Sequence, residues 1–150
     1  MKRTTIVEII SSLLILLFVY TATSKLLDYN SFKHVLVKSP LIGDVAGIIA
    51  LALPITEAVV SLLLFIPRTR LWGLYGSFAL MSVFTLYLAY MILFTPNLPC
   101  SCGGVLRQMT WNQHLVFNIF FLLLSLTGVV LQRKQLRKEQ ERELPPVVFT

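Results

Sequence analysis

The sequence predicts an all-α protein: a four-helix transmembrane bundle with a short interfacial helix after the first span. Three observations carry this. Apolar residues make up 56% of the 150-residue chain and charged residues only 13%, whereas a soluble domain usually carries about 25% charged residues. The apolar residues fall into four runs, each close to the ~20 residues that a helix needs to cross about 30 Å of hydrocarbon. The runs are long and continuous, unlike the roughly ten-residue alternating strands of a membrane barrel. Backbone groups in lipid must be satisfied within their own segment, so each run should be a helix.

The first run covers residues 6–23, "IVEIISSLLILLFVYTAT". Lys2 and Arg3 precede it as they would precede the apolar region of a signal peptide, but "YTATSK" is a poor cleavage site, so the run is expected to stay as the first span. Glu8, one turn inside, can reach the headgroups and is given no role. Residues 24–44 follow, with Leu26, Leu27, Phe32, Val35 and Leu36 at roughly helical spacing. This is the pattern of an amphipathic helix lying in the interface, and Pro40 and Gly43 break it. The second run covers residues 45–66, the third 71–94 and the fourth 114–131. Gly43 and Gly47, and Gly73 and Gly76, are spaced to permit close helix contact.

Orientation follows from the cations. Lys2, Arg3, Arg68, Arg70, Arg133, Lys134, Arg137, Lys138 and Arg142 fall on one side of a four-span chain. Lys25, Lys33, Lys38 and Arg107 fall on the other. The richer side faces the cytoplasm, which places both termini there in an inner or plasma membrane. The net charge of +6 is then mostly an orientation signal, not a nucleic-acid footprint. The chain divides into a four-helix membrane domain, residues 1–131, and a cytoplasmic basic tail, residues 132–150. The tail's "QRKQLRKEQERE" carries both signs at helical spacing and should extend the last helix into water.

The chemistry is concentrated in the connection at residues 95–111, on the extracytoplasmic side. It holds the only two cysteines, Cys100 and Cys102, in "PCSCGG". That compartment is oxidising, so a disulfide can persist. A bridge across one intervening residue closes a very small ring, which strains the geometry and makes it easier to reduce. Gly103 and Gly104 give the backbone freedom for a tight turn. Redox-active thiols are the leading reading. A passive bridge, two idle thiols, or a metal site drawing on His114 or His34 remain alternatives. A passive bridge would add little, because the benefit of closure grows with loop size, and zinc sites normally show four ligands at recognisable spacing. No metal is therefore assigned.

Glu57 lies inside the second run, one turn after Pro54. A carboxylate there has to face the bundle interior, as an interhelical hydrogen-bond partner, a polar anchor or a proton relay near a cofactor. Trp111 sits at the outer interface as a belt residue or as the wall of a pocket for a flat, hydrophobic molecule. His114 follows it, and Asn118 is one turn further on the same face.

These residues resemble a known group, the MauE/DoxX-like family of redox-associated membrane proteins. The resemblance rests on Lys25, Leu26, Asp28 and Phe32 at the end of the first helix, on Pro54 and Glu57 in the second, and on the Cys100–Cys102 loop followed by Asn118. It spans residues 6–131 and includes the four-helix order. It implies a thiol site facing the periplasm and linked to the oxidation state of partner proteins. Members of the MauE branch are associated with making methylamine dehydrogenase, whose small subunit needs many disulfides. Relatives are tied to quinone chemistry, and the architecture is reminiscent of vitamin K epoxide reductase.

The expected function is a membrane thiol–disulfide redox protein. Cys100 and Cys102 would relay electrons between an extracytoplasmic thioredoxin-like protein, or a disulfide-containing client, and a quinone in the bilayer near Trp111, His114 and Glu57. No covalent cofactor is expected. The alternative is a non-enzymatic assembly subunit whose Cys-x-Cys is a structural disulfide. A transporter is a thinner third reading, since a single central carboxylate makes a poor ion path.

Overall fold

The computed structural model describes residues 2–94 and 110–144. Within them the chain forms α1 (Arg3–Leu27), α2 (Tyr29–Val37), a 3-10 turn (Gly43–Val45), α3 (Ala46–Phe65), α4 (Arg70–Phe94) and α5 (Trp111–Glu143). Four of these are long and apolar enough to cross a membrane, with mean hydropathies between 1.9 and 2.4. The protein is an integral membrane protein.

The four long helices pack as a ring. α1 and α4 each pack against both α3 and α5, and face each other across the diagonal with little contact. The short connection over residues 66–69 makes α3 and α4 antiparallel neighbours. The core is a stripe on each helix: Val7, Ile10, Leu14 and Phe18 on α1, Val60 and Leu64 on α3, Leu74 and Met81 on α4, and Val129 on α5. The opposite faces are apolar too, with Leu16, Ile48, Leu86 and Phe120 all more than half exposed. A surface of that kind is stable only against lipid.

Small residues set the helix separations. A Cβ on Gly73 would lie 2.7 Å from the Leu64 backbone nitrogen, and one on Gly76 would lie 3.0 Å from Val60, so this pair brings α4 onto α3 as its spacing implies. Gly128, which the sequence reading passed over, does the same for α5: a Cβ there would meet Leu74 at 2.8 Å and Ile10 at 3.1 Å. Ser77 and Ser125 are fully buried beside these contacts and return their hydroxyls to their own helices, to Gly73 O and Leu122 O, at 2.8 Å each.

Two expectations are corrected. Gly43 and Gly47 do not seat two of the long helices against each other among the described residues. Gly43 lies in the 3-10 turn against the Val37 carbonyl, where a Cβ would sit at 2.7 Å, and Gly47 meets only the end of the Lys33 side chain. The interfacial segment is also shorter than its apolar pattern suggests. α1 runs on through Leu27, so Leu26 and Leu27 belong to the first span's end and are exposed. α2 is nine residues long and buries Phe32 and Leu36 against Ala46 and Ala50 of α3. It is a cap on one end of the bundle.

At the other end, the Thr69 hydroxyl donates to Leu63 O at 3.0 Å, meeting one of the carbonyls left open where α3 stops. α5 starts with a capping box. The Gln113 backbone N–H donates to Thr110 Oγ1 at 3.3 Å, and the Thr110 backbone N–H donates to Gln113 Oε1 at 3.0 Å. α5 then continues unbroken for 33 residues, about 50 Å at 1.5 Å per residue. Its last turns carry the basic tail as one helix with the span.

Candidate functional site

The site is built where α1 ends, α2 caps the bundle, α3 begins, α4 ends and α5 begins. A cavity of about 240 Å³ opens there and reaches to the middle of the bundle. Most of its wall is apolar, from Phe18, Phe32, Phe84, Met81 and Phe117. Against that wall stand a few polar groups from all the long helices: Lys25, Glu57, Tyr87, His114 and Asn118.

Its centre is an ion pair. Lys25 Nζ, from the last turn of α1, donates to Glu57 Oε1 at 2.5 Å across 32 residues of sequence. The Glu57 side chain is 1% exposed and that of Lys25 18%. Lys25 stands over the rings of Phe84 at 5.0 Å and Phe32 at 5.6 Å, so aromatic faces share its charge. Breaking such a pair leaves an uncompensated charge in a dry interior, which is why both partners are held so closely. The second carboxylate oxygen, Glu57 Oε2, is buried without a hydrogen bond of normal geometry, with the Thr21 hydroxyl, which donates to Phe18 O at 3.2 Å, beside the carboxylate. That carboxylate oxygen is an acceptor at the wall of an apolar cavity, where a ligand's O–H or N–H could meet it.

Local structure explains the placement. Pro54 lies inside α3 one turn before Glu57 and is itself buried. Its missing N–H leaves the carbonyl one turn earlier without its usual helical partner. On the opposite wall, Asn118 is 5% exposed and lies one turn below His114 on the same face of α5. The Tyr87 hydroxyl donates to the buried Ser39 Oγ at 2.9 Å, tying α4 to the connection between α2 and α3.

Of the residues singled out from sequence, Glu57, Trp111 and His114 line this one cavity together with Asn118. His34 does not; it is exposed on α2. Among the described residues, no three of His, Cys, Asp and Glu converge. Cys100 and Cys102 lie outside the described residues. The connection that carries them leaves α4 after Phe94 and returns at Thr110, at the end of the bundle where the cavity opens.

What sequence reasoning missed is the role of Lys25. The cation pattern of the sequence places it outside the membrane, whereas it turns inward and forms the ion pair. The signal was present in two parts: a carboxylate in the second span that needed a partner, and a lysine on the last turn of the first.

The molecule is thus a four-helix integral membrane protein with a charged pair at the floor of an apolar cavity. The profile of one family, methylamine utilisation protein MauE, matches residues 3–131, and the chain belongs to that family. No curated protein and no solved structure matches it.

Proposed function

We propose that this protein is a membrane thiol–disulfide redox protein that passes electrons between an extracytoplasmic partner and a quinone of the bilayer through Cys100 and Cys102. The observation that carries the reading is the cavity. It is apolar over most of its wall, open at the end of the bundle from which the cysteine-bearing connection springs, and it brings the Lys25–Glu57 pair and the His114–Asn118 face into one space, with Thr21, Ser24 and Tyr87 as its further polar groups. A flat, hydrophobic molecule with two carbonyl oxygens fits that chemistry: rings against Phe84 and Phe117, one oxygen toward the Lys25 ammonium, and its reduced hydroxyl toward Glu57 Oε2.

The exchange balances. When the dithiol is oxidised, two S–H bonds break and one S–S bond forms, releasing two electrons and two protons. A quinone takes up that pair of electrons and protons, its carbonyls becoming hydroxyls. Lys25 and Glu57 hold one exchangeable proton beside that position. A dithiol on a thioredoxin-like partner then restores the Cys100–Cys102 dithiol, or a client takes the disulfide. Membership of the MauE family supports a role in maturing a disulfide-rich periplasmic protein such as methylamine dehydrogenase.

Orientation enters the same proposal. With Lys25 withdrawn into the cavity, the cations left on the cysteine side are Lys33, Lys38 and Arg107, against nine on the other. This strengthens the assignment of both termini to the cytoplasm and of the cysteine connection to the outside.

The test uses purified, pre-reduced protein and an oxidised short-tail quinone, with alkylation of the remaining thiols read by mass. The expected result is loss of both thiols on quinone addition, and a slower loss in Glu57→Gln. Thiols that persist through excess quinone would overturn the relay. If, in addition, Cys100→Ser/Cys102→Ser cells matured every periplasmic client normally, the assembly-subunit reading would stand in its place.

A further inference from the structure

At the opposite end of the bundle, a groove of about 520 Å³ runs between α4 and α5. Its floor is Phe78 of α4 with Leu126 and Val130 of α5, and its upper rim is Arg133, Lys134 and Arg137. The three cations and the floor residues of α5 recur at three- and four-residue intervals, so one face of α5 changes from apolar to basic along its length. The change comes where the apolar run ends at residue 131. Trp72, near the start of α4 and 70% exposed, stands at the same end, as tryptophan does where hydrocarbon meets headgroups.

We propose that this groove binds one anionic phospholipid, an acyl chain lying along Phe78, Leu126 and Val130 and its phosphate held by Arg133, Lys134 and Arg137. Charge complementarity at a fixed depth carries the assignment. Arg133 and Lys134 are exposed and form no ion pair among the described residues. Arg137 meets Glu141 at 3.5 Å with both side chains largely exposed; such a pair contributes little and yields to a phosphate. Tyr75 adds a hydroxyl at the wall of the groove. A zwitterionic lipid would bring its own cation against the rim, so the site discriminates by headgroup charge. This site is independent of the redox reading.

The test is native mass spectrometry of the full-length protein released from detergent micelles containing equal amounts of phosphatidylglycerol and phosphatidylcholine. Phosphatidylglycerol should be retained preferentially, and each Gln substitution at positions 133, 134 and 137 should lower its retention about fivefold. A control variant, Lys2→Gln, removes the same charge elsewhere and should leave the preference intact. Equal retention of the two lipids would overturn the site, as would equal loss in the control variant. Retention of glycerol phosphate as strong as that of the whole lipid would overturn it too, because the groove would then contribute nothing.

Discussion

At the scale of the residue, the account turns on Lys25 and Glu57. A pair with one partner 1% exposed cannot lose its cation cheaply. Lys25→Met should lower unfolding stability by roughly 3–5 kcal/mol, the usual consequence of leaving one buried charge unpaired. Thermal melting in detergent would measure it. The double variant Lys25→Met/Glu57→Leu should regain much of the loss, since it removes both charges together. Equal melting of single and double variants would mean that the carboxylate is not held by the lysine. Glu57 was legible in the sequence, because a carboxylate inside an apolar run demands a reason. Its partner was not. The two residues are 32 positions apart, and which face of α1 turns inward depends on the packing of Val7, Ile10, Leu14 and Phe18 against the other helices. Asp28 and Phe32 of the same motif gain meaning only in the fold: Asp28 is where α1 gives way to α2, its carbonyl accepting from Phe32 N–H at 3.0 Å, and Phe32 places its ring beside Lys25.

At the scale of the element, the spans were legible because hydropathy is an additive property of a run, while their ends were not. α1 continues four residues beyond its apolar run, through Ser24 and Lys25 to Leu27, because backbone hydrogen bonding does not stop when side chains become polar. The glycines separate the two kinds of close contact. Gly73→Ala puts a methyl 2.7 Å from the Leu64 backbone nitrogen and should push α3 and α4 apart, with a fall in melting temperature of several degrees. Gly47→Ala meets only the flexible end of Lys33 at 3.7 Å, so it should be neutral or gain up to about 0.5–1 kcal/mol from reduced backbone freedom in the unfolded chain. Two closely spaced glycine pairs thus respond with opposite signs once the neighbours are known. Thr110→Ala removes the capping hydroxyl of α5 and should cost about 1 kcal/mol, read as earlier exchange of the amides of its first turn. That turn carries Trp111 and His114, so the cap also holds one wall of the cavity in place.

At the scale of the whole molecule, the bundle has two chemically distinct ends. One is basic and carries the groove between α4 and α5; the other carries the cavity and the ends of the connection with the cysteines. In the function proposed above, the basic end sets the orientation, the Lys25–Glu57 pair gives the cavity its charged wall, and the thiols would meet partners outside. The most direct measurement is thiol trapping on intact cells with a membrane-impermeant maleimide, before and after mild reduction. The account predicts that Cys100 and Cys102 are labelled after mild reduction without opening the membrane, and that the labelled fraction changes with respiration. Cysteines that react only after the membrane is opened, or a bridge that resists mild reductant whatever the respiratory state, would contradict it.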